Sequence, residues 1–171
     1  RPQLACEAVA PPAAGVLLRT AVLSRLVTVT APPGYGKTVI LSRLHHTLTQ
    51  RGQRCLWITL DDRDVSVSSL FYLVQAGMAL EDPEGRDAAK PQNIGGDPRP
   101  TFERLLRLVE RLPGPTTLFI DNVSFCIDPQ LEPLLDRLVF EGAPQLRLVL
   151  SGAGRLPIDT MRARLGLGAV E

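Results

Sequence analysis

No apolar run in the 171-residue chain approaches the roughly 18 to 20 residues that a membrane-spanning helix requires, which excludes a helical membrane protein. The opening Arg1-Pro2-Gln3-Leu4-Ala5 lacks the apolar core of a secretory signal, and a cytoplasmic location is expected by default. An excess of one charge sign is also missing. Nineteen basic residues against 18 acidic ones leave a net charge of +1, so the broad electrostatic footprint of nucleic-acid or membrane-surface binding is absent. Any DNA contact is then expected to lie outside this chain. Cysteine is scarce: Cys6, Cys55 and Cys126 are odd in number, far apart and mostly set in apolar runs. That pattern argues against disulfides or a zinc site and fits buried free thiols. The adjacent His45 and His46 would point about 100° apart on a helix, so they cannot share a metal and are expected to be solvated. Lysine is scarcest of the charged types, with Lys37 and Lys90 alone.

What is present is ordinary soluble composition, 44% hydrophobic and 22% charged, in a length that fits one domain over residues 1–171 with a sizeable core. The missing initiator Met and the uncapped end suggest a piece of something longer.

Lys37 falls within Ala31-Pro32-Pro33-Gly34-Tyr35-Gly36-Lys37-Thr38, which follows the apolar run Leu26 to Thr30 and precedes the apolar-periodic Val39 to Leu44. This is strand, phosphate loop, helix. The pattern G-x-x-x-x-G-K-[ST] is met everywhere except at its first position, where Ala31 replaces Gly. Gly34 and Gly36 permit backbone torsions that turn successive N–H groups around an anion. The helix beginning near Lys37 adds its unsatisfied N–H groups and the positive end of its dipole. The Lys37 ammonium then suits the β- and γ-phosphates of a nucleoside triphosphate, and the Thr38 hydroxyl suits Mg2+. Pro33, Gly34, Tyr35, Gly36, Lys37, Thr38 and Val39 are therefore the expected nucleotide-binding residues. A chance Gly/Pro turn between strand and helix is the alternative, and the flanking elements argue against it.

Along the chain, residues 1–15 read as an irregular Ala/Pro-rich lead-in and Val16 to Arg25 as a short helix. A helix from Lys37 to about Gln50 carries Ile40, Leu41, Leu44 and Leu48 at helical spacing. Cys55 to Leu60 is nearly continuous in apolar residues, as in a parallel strand covered on both faces. Asp61, Asp62 and Asp64 follow it and are expected to form turn and cap hydrogen bonds rather than a cation site. Ser66 or Ser68 is the expected cap of the next helix. The Pro- and Gly-rich stretch 81–100 reads as a flexible surface insertion. Thr101 is expected to cap a helix with Phe102, Leu105, Leu106, Val109 and Leu112 inward. Asp128-Pro129 is expected to open a further helix whose Leu131, Leu134, Leu135, Leu138 and Val139 share one face. Leu146 to Leu150 is the fourth strand. Met161 to Leu165 reads as a basic helix, and Ala169 to Glu171 as the start of a fifth strand that the chain truncates.

Thr116-Thr117-Leu118-Phe119-Ile120-Asp121 is an apolar strand ending in an acid. In a parallel sheet the strand ends gather at the edge that holds the phosphate loop, so Asp121 is placed to hold a water of the Mg2+ shell. Lys37 and Asp121 are the expected catalytic pair, and Thr38 and Asp121 the metal pair. Asn122 stands where many P-loop ATPases carry a second carboxylate, and an amide cannot act as a base. Slow or partner-dependent hydrolysis is expected. Ser151, at the end of the fourth strand, is the expected polar sensor of the γ-phosphate.

The segments APPGYGKTVIL (Ala31 to Leu41), WITLD (Trp57 to Asp61), LFIDN (Leu118 to Asn122) and LVLS (Leu148 to Ser151), with Leu156-Pro157 and Met161-Arg162-Ala163-Arg164, resemble the nucleotide-binding domain of MalT-like, LuxR-family transcriptional regulators of the STAND class. The resemblance implies a P-loop NTPase α/β/α sandwich with a mainly parallel sheet in the order 2-3-4-1. It also implies a bacterial protein that uses ATP/ADP and Mg2+ as a switch, touches DNA through a helix-turn-helix absent from this chain, and self-associates in a nucleotide-dependent way. The family residues carry over at Gly34, Gly36, Lys37, Thr38 and Asp121. Two positions depart from the family: Asn122 replaces the usual acid, and no Arg stands near Gly152 or Ala153, although Arg155 is close by. Two other readings remain open, a freestanding P-loop ATPase or phosphotransferase and a degenerate P-loop scaffold. The missing second acid weighs against the first, and the intact Gly36-Lys37-Thr38 against the second.

Overall fold

The computed structural model describes residues 24–62, 66–81, 98–110, 114–142 and 144–158. In chain order the elements are β1 (Leu26–Thr30), α1 (Lys37–Gln50), β2 (Arg54–Thr59), α2 (Val67–Glu81), α3 (Pro98–Glu110), β3 (Thr116–Asp121), a 3-10 turn (Val123–Phe125), α4 (Leu131–Phe140) and β4 (Leu146–Gly152). All strand pairs are parallel and the order is β1-β4-β3-β2, the 2-3-4-1 arrangement of a P-loop NTPase core read from the other edge.

The register explains why the strands read as unbroken apolar runs. Leu26 pairs with Leu148, Leu148 with Leu118, and Leu118 with Leu56, so these even-numbered residues form one row across the sheet. Side chains alternate between faces along a strand. The even row packs, with Ile58, Ile120 and Leu150, under α2, α3 and α4 in the larger core cluster. The odd positions Val27, Cys55, Phe119 and Val149 pack under α1 through Leu41, Leu44 and Leu48. Both faces are dry, which gives the three layers and removes the alternation that a half-exposed strand would show.

Several local expectations shift. The β2 ladder begins at Arg54 and ends at Thr59, one residue ahead of the apolar run, and Leu60 N–H still donates to the Asp121 carbonyl at 3.0 Å. Helix α3 begins at Pro98, which a helix tolerates in its first turn because the missing N–H has no intrahelical partner there. Thr101 consequently sits inside the helix instead of capping it. Glu81 and residues 98–100 are helical, so the ends of the stretch read as an insertion belong to α2 and α3. Ser66 is the residue that caps α2, its Oγ accepting from Ser69 N–H at 3.2 Å. Asp128-Pro129 precedes α4 without opening it: the helix starts at Leu131 with Gln130 at the N-cap. The Asp128 carboxylate accepts from Gln130 N–H at 2.9 Å and from Val67 N–H at 3.0 Å, tying α4's approach to the start of α2. His46 is exposed as expected, but His45 is half-buried with its ring edge-on to Trp57 and Phe119, 5.7 and 5.4 Å between centroids.

Cys55 and Cys126 are buried and take part in no disulfide. Ser24 and Arg25 are not helical. The lead-in 1–15, residues 16–23, Cys6, Asp64, the centre of the 81–100 stretch and the closing 161–171 lie outside the described residues. No helix among the described residues is long and apolar enough to cross a membrane.

Candidate functional site

The sheet topology brings the ends of β1, β4 and β3 to one edge. Beyond β1 the chain turns through Gly34 and Gly36 at φ 85° and 78°, left-handed torsions that cost a side-chain-bearing residue energy and glycine none. Nothing lies within 4 Å of a Cβ built on either glycine, so it is torsion rather than space that demands them there. Gly36 is also the N-cap of α1 and carries no side chain to satisfy the first N–H groups. No acid occupies the helix's first turn. The positive end of α1 is therefore left to an anion.

Lys37 is buried beside this turn, its Nζ donating to the Ala31 carbonyl at 2.8 Å and the Pro32 carbonyl at 3.1 Å. An ammonium has three donors, so the same group can still reach an anion in the loop. Ala31 N–H donates in turn to the Gly152 carbonyl at 3.4 Å, joining the loop to the end of β4.

Asp121 ends β3 at 1% exposure and is met from three directions. Thr38 Oγ1 donates to its Oδ2 at 2.8 Å. On the other oxygen, Oδ1, Asn122 N–H donates at 3.0 Å and the Ser151 hydroxyl also donates. Thr38 and Asp121, 83 positions apart in the chain, are thus brought into contact.

A cavity of about 600 Å³ opens over the loop, within the range of sites that enclose a small organic ligand. Of the residues expected to bind nucleotide, Pro33, Gly34, Gly36, Lys37, Thr38 and Val39 line it. Tyr35 and Ser151 do not: Tyr35 points outward at 73% exposure, and Ser151 is fully buried behind Asp121. Asn122, Ser124, Phe125 and Ala153 complete the lining and were not among the expected binders. Their signal in the sequence was position alone, since they follow the β3 and β4 ends that gather at this edge. Among the described residues no carboxylate lines the cavity. Arg155 is exposed and stands outside the lining, and Asp61 and Asp62 are exposed beyond β2 at the opposite edge of the sheet.

Asn122 adopts a left-handed conformation at φ 60°, the one non-glycine residue to do so among the described residues. Asn tolerates this better than most residues because its short side chain can bond locally. It turns the chain into the 3-10 segment, and Ser124 then clasps the loop after β4. Ser124 Oγ accepts from Ala153 N–H at 2.9 Å and donates to the Ala153 carbonyl at 3.1 Å. Gly152 permits the clasp: a Cβ there would sit 2.4 Å from Ser124 Oγ and 2.6 Å from Leu156 Cδ2. Gly152→Ala is expected to destabilise the domain by about 1–3 kcal/mol through this overpacking, measured by urea unfolding. Wild-type stability would show that the two loops separate freely.

The donor set fits Mg2+. A hydroxyl and a carboxylate in contact are hard oxygen ligands, and Mg2+ is ordinarily held by one or two such groups together with phosphate oxygens and water. Among the described residues no cluster of three or more His, Cys, Asp or Glu exists to cage a metal without them.

Among solved structures the fold is similar to Cdc6p of Pyrobaculum aerophilum, at 17% identity and a TM-score of 0.59, covering 99% of this chain and 47% of that one. It is also similar to the ORC1 protein of Aeropyrum pernix in complex with DNA, at 21% identity and a TM-score of 0.50, covering 85% of this chain and 40% of that one. At such identities the likeness is one of fold, and the chain spans less than half the length of either protein. No curated protein matches the sequence. A family model described as AAA domain matches residues 23–157, from just before β1 to just beyond β4, enclosing every residue that lines the cavity. With a P-loop at the end of β1, an acid at the end of β3 and the parallel sheet that joins them, the chain belongs to the AAA domain family of P-loop ATPases.

Proposed function

We propose that the domain binds ATP and ADP with Mg2+ and serves as the nucleotide switch of a bacterial, signal-responsive transcriptional regulator of the MalT-like, LuxR-family kind. The observation that carries nucleotide binding is the Thr38 Oγ1 to Asp121 Oδ2 contact at 2.8 Å beside the glycine-turned loop. It joins a hydroxyl that lines the cavity to the buried carboxylate in contact with it. The loop N–H groups and the start of α1 hold the phosphates, Lys37 neutralises the β- and γ-phosphates, and Thr38 with Asp121 would hold Mg2+. When bound, the metal would draw charge from the phosphate oxygens. Asn122 lines the cavity where a base would be useful, and an amide cannot take a proton from water. The site is therefore built to hold ATP longer than to consume it. The regulator role is supported by the resemblance of the loop, β3 and β4 segments. DNA contact is assigned to a helix-turn-helix outside this chain, and self-association to the nucleotide-bound full-length protein.

Calorimetry with ATP and ADP, with and without Mg2+, tests the first part. Saturable binding strengthened by Mg2+ is expected, and no affinity for either nucleotide overturns it. Turnover by the isolated domain is expected below about 1 per second. Faster steady hydrolysis would favour a freestanding ATPase. A full-length protein whose DNA affinity is indifferent to nucleotide would overturn the switch.

A further inference from the structure

Ser151 was expected to touch the γ-phosphate, yet it is 0% exposed, lies outside the cavity lining, and spends its hydroxyl elsewhere. Its Oγ donates to Asp121 Oδ1, and it accepts from Asn122 N–H at 3.3 Å. We infer that Ser151 is a positioning residue: it fixes the carboxylate of Asp121 from behind, so that Oδ2 is presented to Thr38 and to the metal on the cavity side. The inference rests on the nucleotide-binding reading above.

The geometry divides the carboxylate into two working halves. Oδ1 receives the buried donors, Ser151 O–H and Asn122 N–H. Oδ2 receives Thr38 O–H, which belongs to the phosphate loop and can exchange this contact for a metal. A carboxylate held by donors on one oxygen loses the freedom to rotate about its terminal torsion, which is broad in an unconstrained Asp. Partners behind a ligating group orient it, and their loss typically weakens metal binding. Ser151 suits this task through its place in the sheet. It is paired with Val29 of β1, so the strand between the phosphate loop and Asp121 supplies the hydroxyl. Asn122 N–H alone would leave the orientation to a single backbone donor.

The test compares Ser151→Ala with Ser151→Thr, which keeps a hydroxyl, and with Asp121→Asn alone and combined with Ser151→Ala. Crystal structures of the free proteins are read for the Thr38–Asp121 contact, and ATP and ADP affinities are measured by calorimetry in Mg2+ and in EDTA. In Ser151→Ala the contact is expected to be lost, and the strengthening of ATP binding by Mg2+ is expected to fall roughly tenfold while affinity in EDTA is unchanged. Ser151→Thr should restore both, and Ser151→Ala should add nothing in the Asp121→Asn background. An unmoved Asp121 carboxylate, or a loss of ATP affinity relative to ADP that persists in EDTA, would overturn the inference, the latter because it marks direct phosphate contact. Should the unmutated protein bind no nucleotide, the proposed function fails on that result, while the carboxylate's position in Ser151→Ala still decides the role of Ser151.

Discussion

Lys37→Ala should weaken ATP binding by roughly 10- to 100-fold, the worth of about 1.5–3 kcal/mol for hydrogen bonds to a charged group. The variant removes the one cation that the loop brings to the cavity among the described residues. Its present acceptors are the carbonyls of Ala31 and Pro32. Pro32 is exposed and Ala31 partly so, and water can replace the lost donors. The unliganded fold should therefore lose little stability, and the deficit should appear in ligand binding. Thermal unfolding separates the two effects. The variant's midpoint without ligand is expected close to that of the unmutated protein, and the rise produced by saturating ATP should shrink, because ligand stabilisation grows with concentration over Kd. Unaltered ATP affinity would remove Lys37 from the phosphate site. A large fall in the unliganded midpoint would make it a structural lysine.

Phe119→Ala is expected to cost about 3–5 kcal/mol of folding stability, a large share of the 5–15 kcal/mol typical of a domain. Phe119 is fully buried under α1, stacked on Trp57 with centroids 5.3 Å apart and planes 13° from parallel, with the His45 ring edge-on to both. An alanine there leaves a cavity at the centre of one core layer, between β2, β4 and α1, and the two strands cannot collapse into it without breaking their ladders with β3. Urea unfolding followed by circular dichroism and by the fluorescence of Trp57, the sole tryptophan, measures the loss. Phe119→Leu should recover much of it. A cost for Phe119→Ala below about 1 kcal/mol would mean that the α1 layer is loosely packed.

The parts legible in the sequence were those where chemistry permits few residue types. Gly34 and Gly36 stand at left-handed torsions, the apolar strands are covered on both faces, and the helical stripe of α4 and Leu41, Leu44 and Leu48 of α1 are buried as their spacing implies, with Ile40 only partly so. The strand order came from resemblance, because no local pattern states which strand lies beside which. Less legible were features decided by distant partners. The Asp128 carboxylate reaches the start of α2, 61 positions away, as well as its own turn. His45 is drawn into an aromatic cluster by residues on two strands. In the site, the residue types in the loop announced themselves, whereas Ser124 and Ala153 did not. A serine and an alanine are ordinary anywhere, and only the clasp across the end of β4 places them beside the cavity.

The position of β4 has a consequence for how the site comes into being. Within the described sheet β1 has one neighbour, β4, and that neighbour comes last among the described strands. Closing such a long loop is entropically costly, and contacts between residues far apart in the chain form slowly. Until Leu146–Gly152 inserts between β1 and β3, the P-loop sequence has no strand beside it and Asp121 has no Ser151. A chain emerging during synthesis thus carries the whole loop sequence, Ala31 to Thr38, long before it carries a site. On the proposed nucleotide-binding reading, only the finished sheet would be rewarded by nucleotide, and ATP would be a ligand of the folded domain rather than a template for folding it.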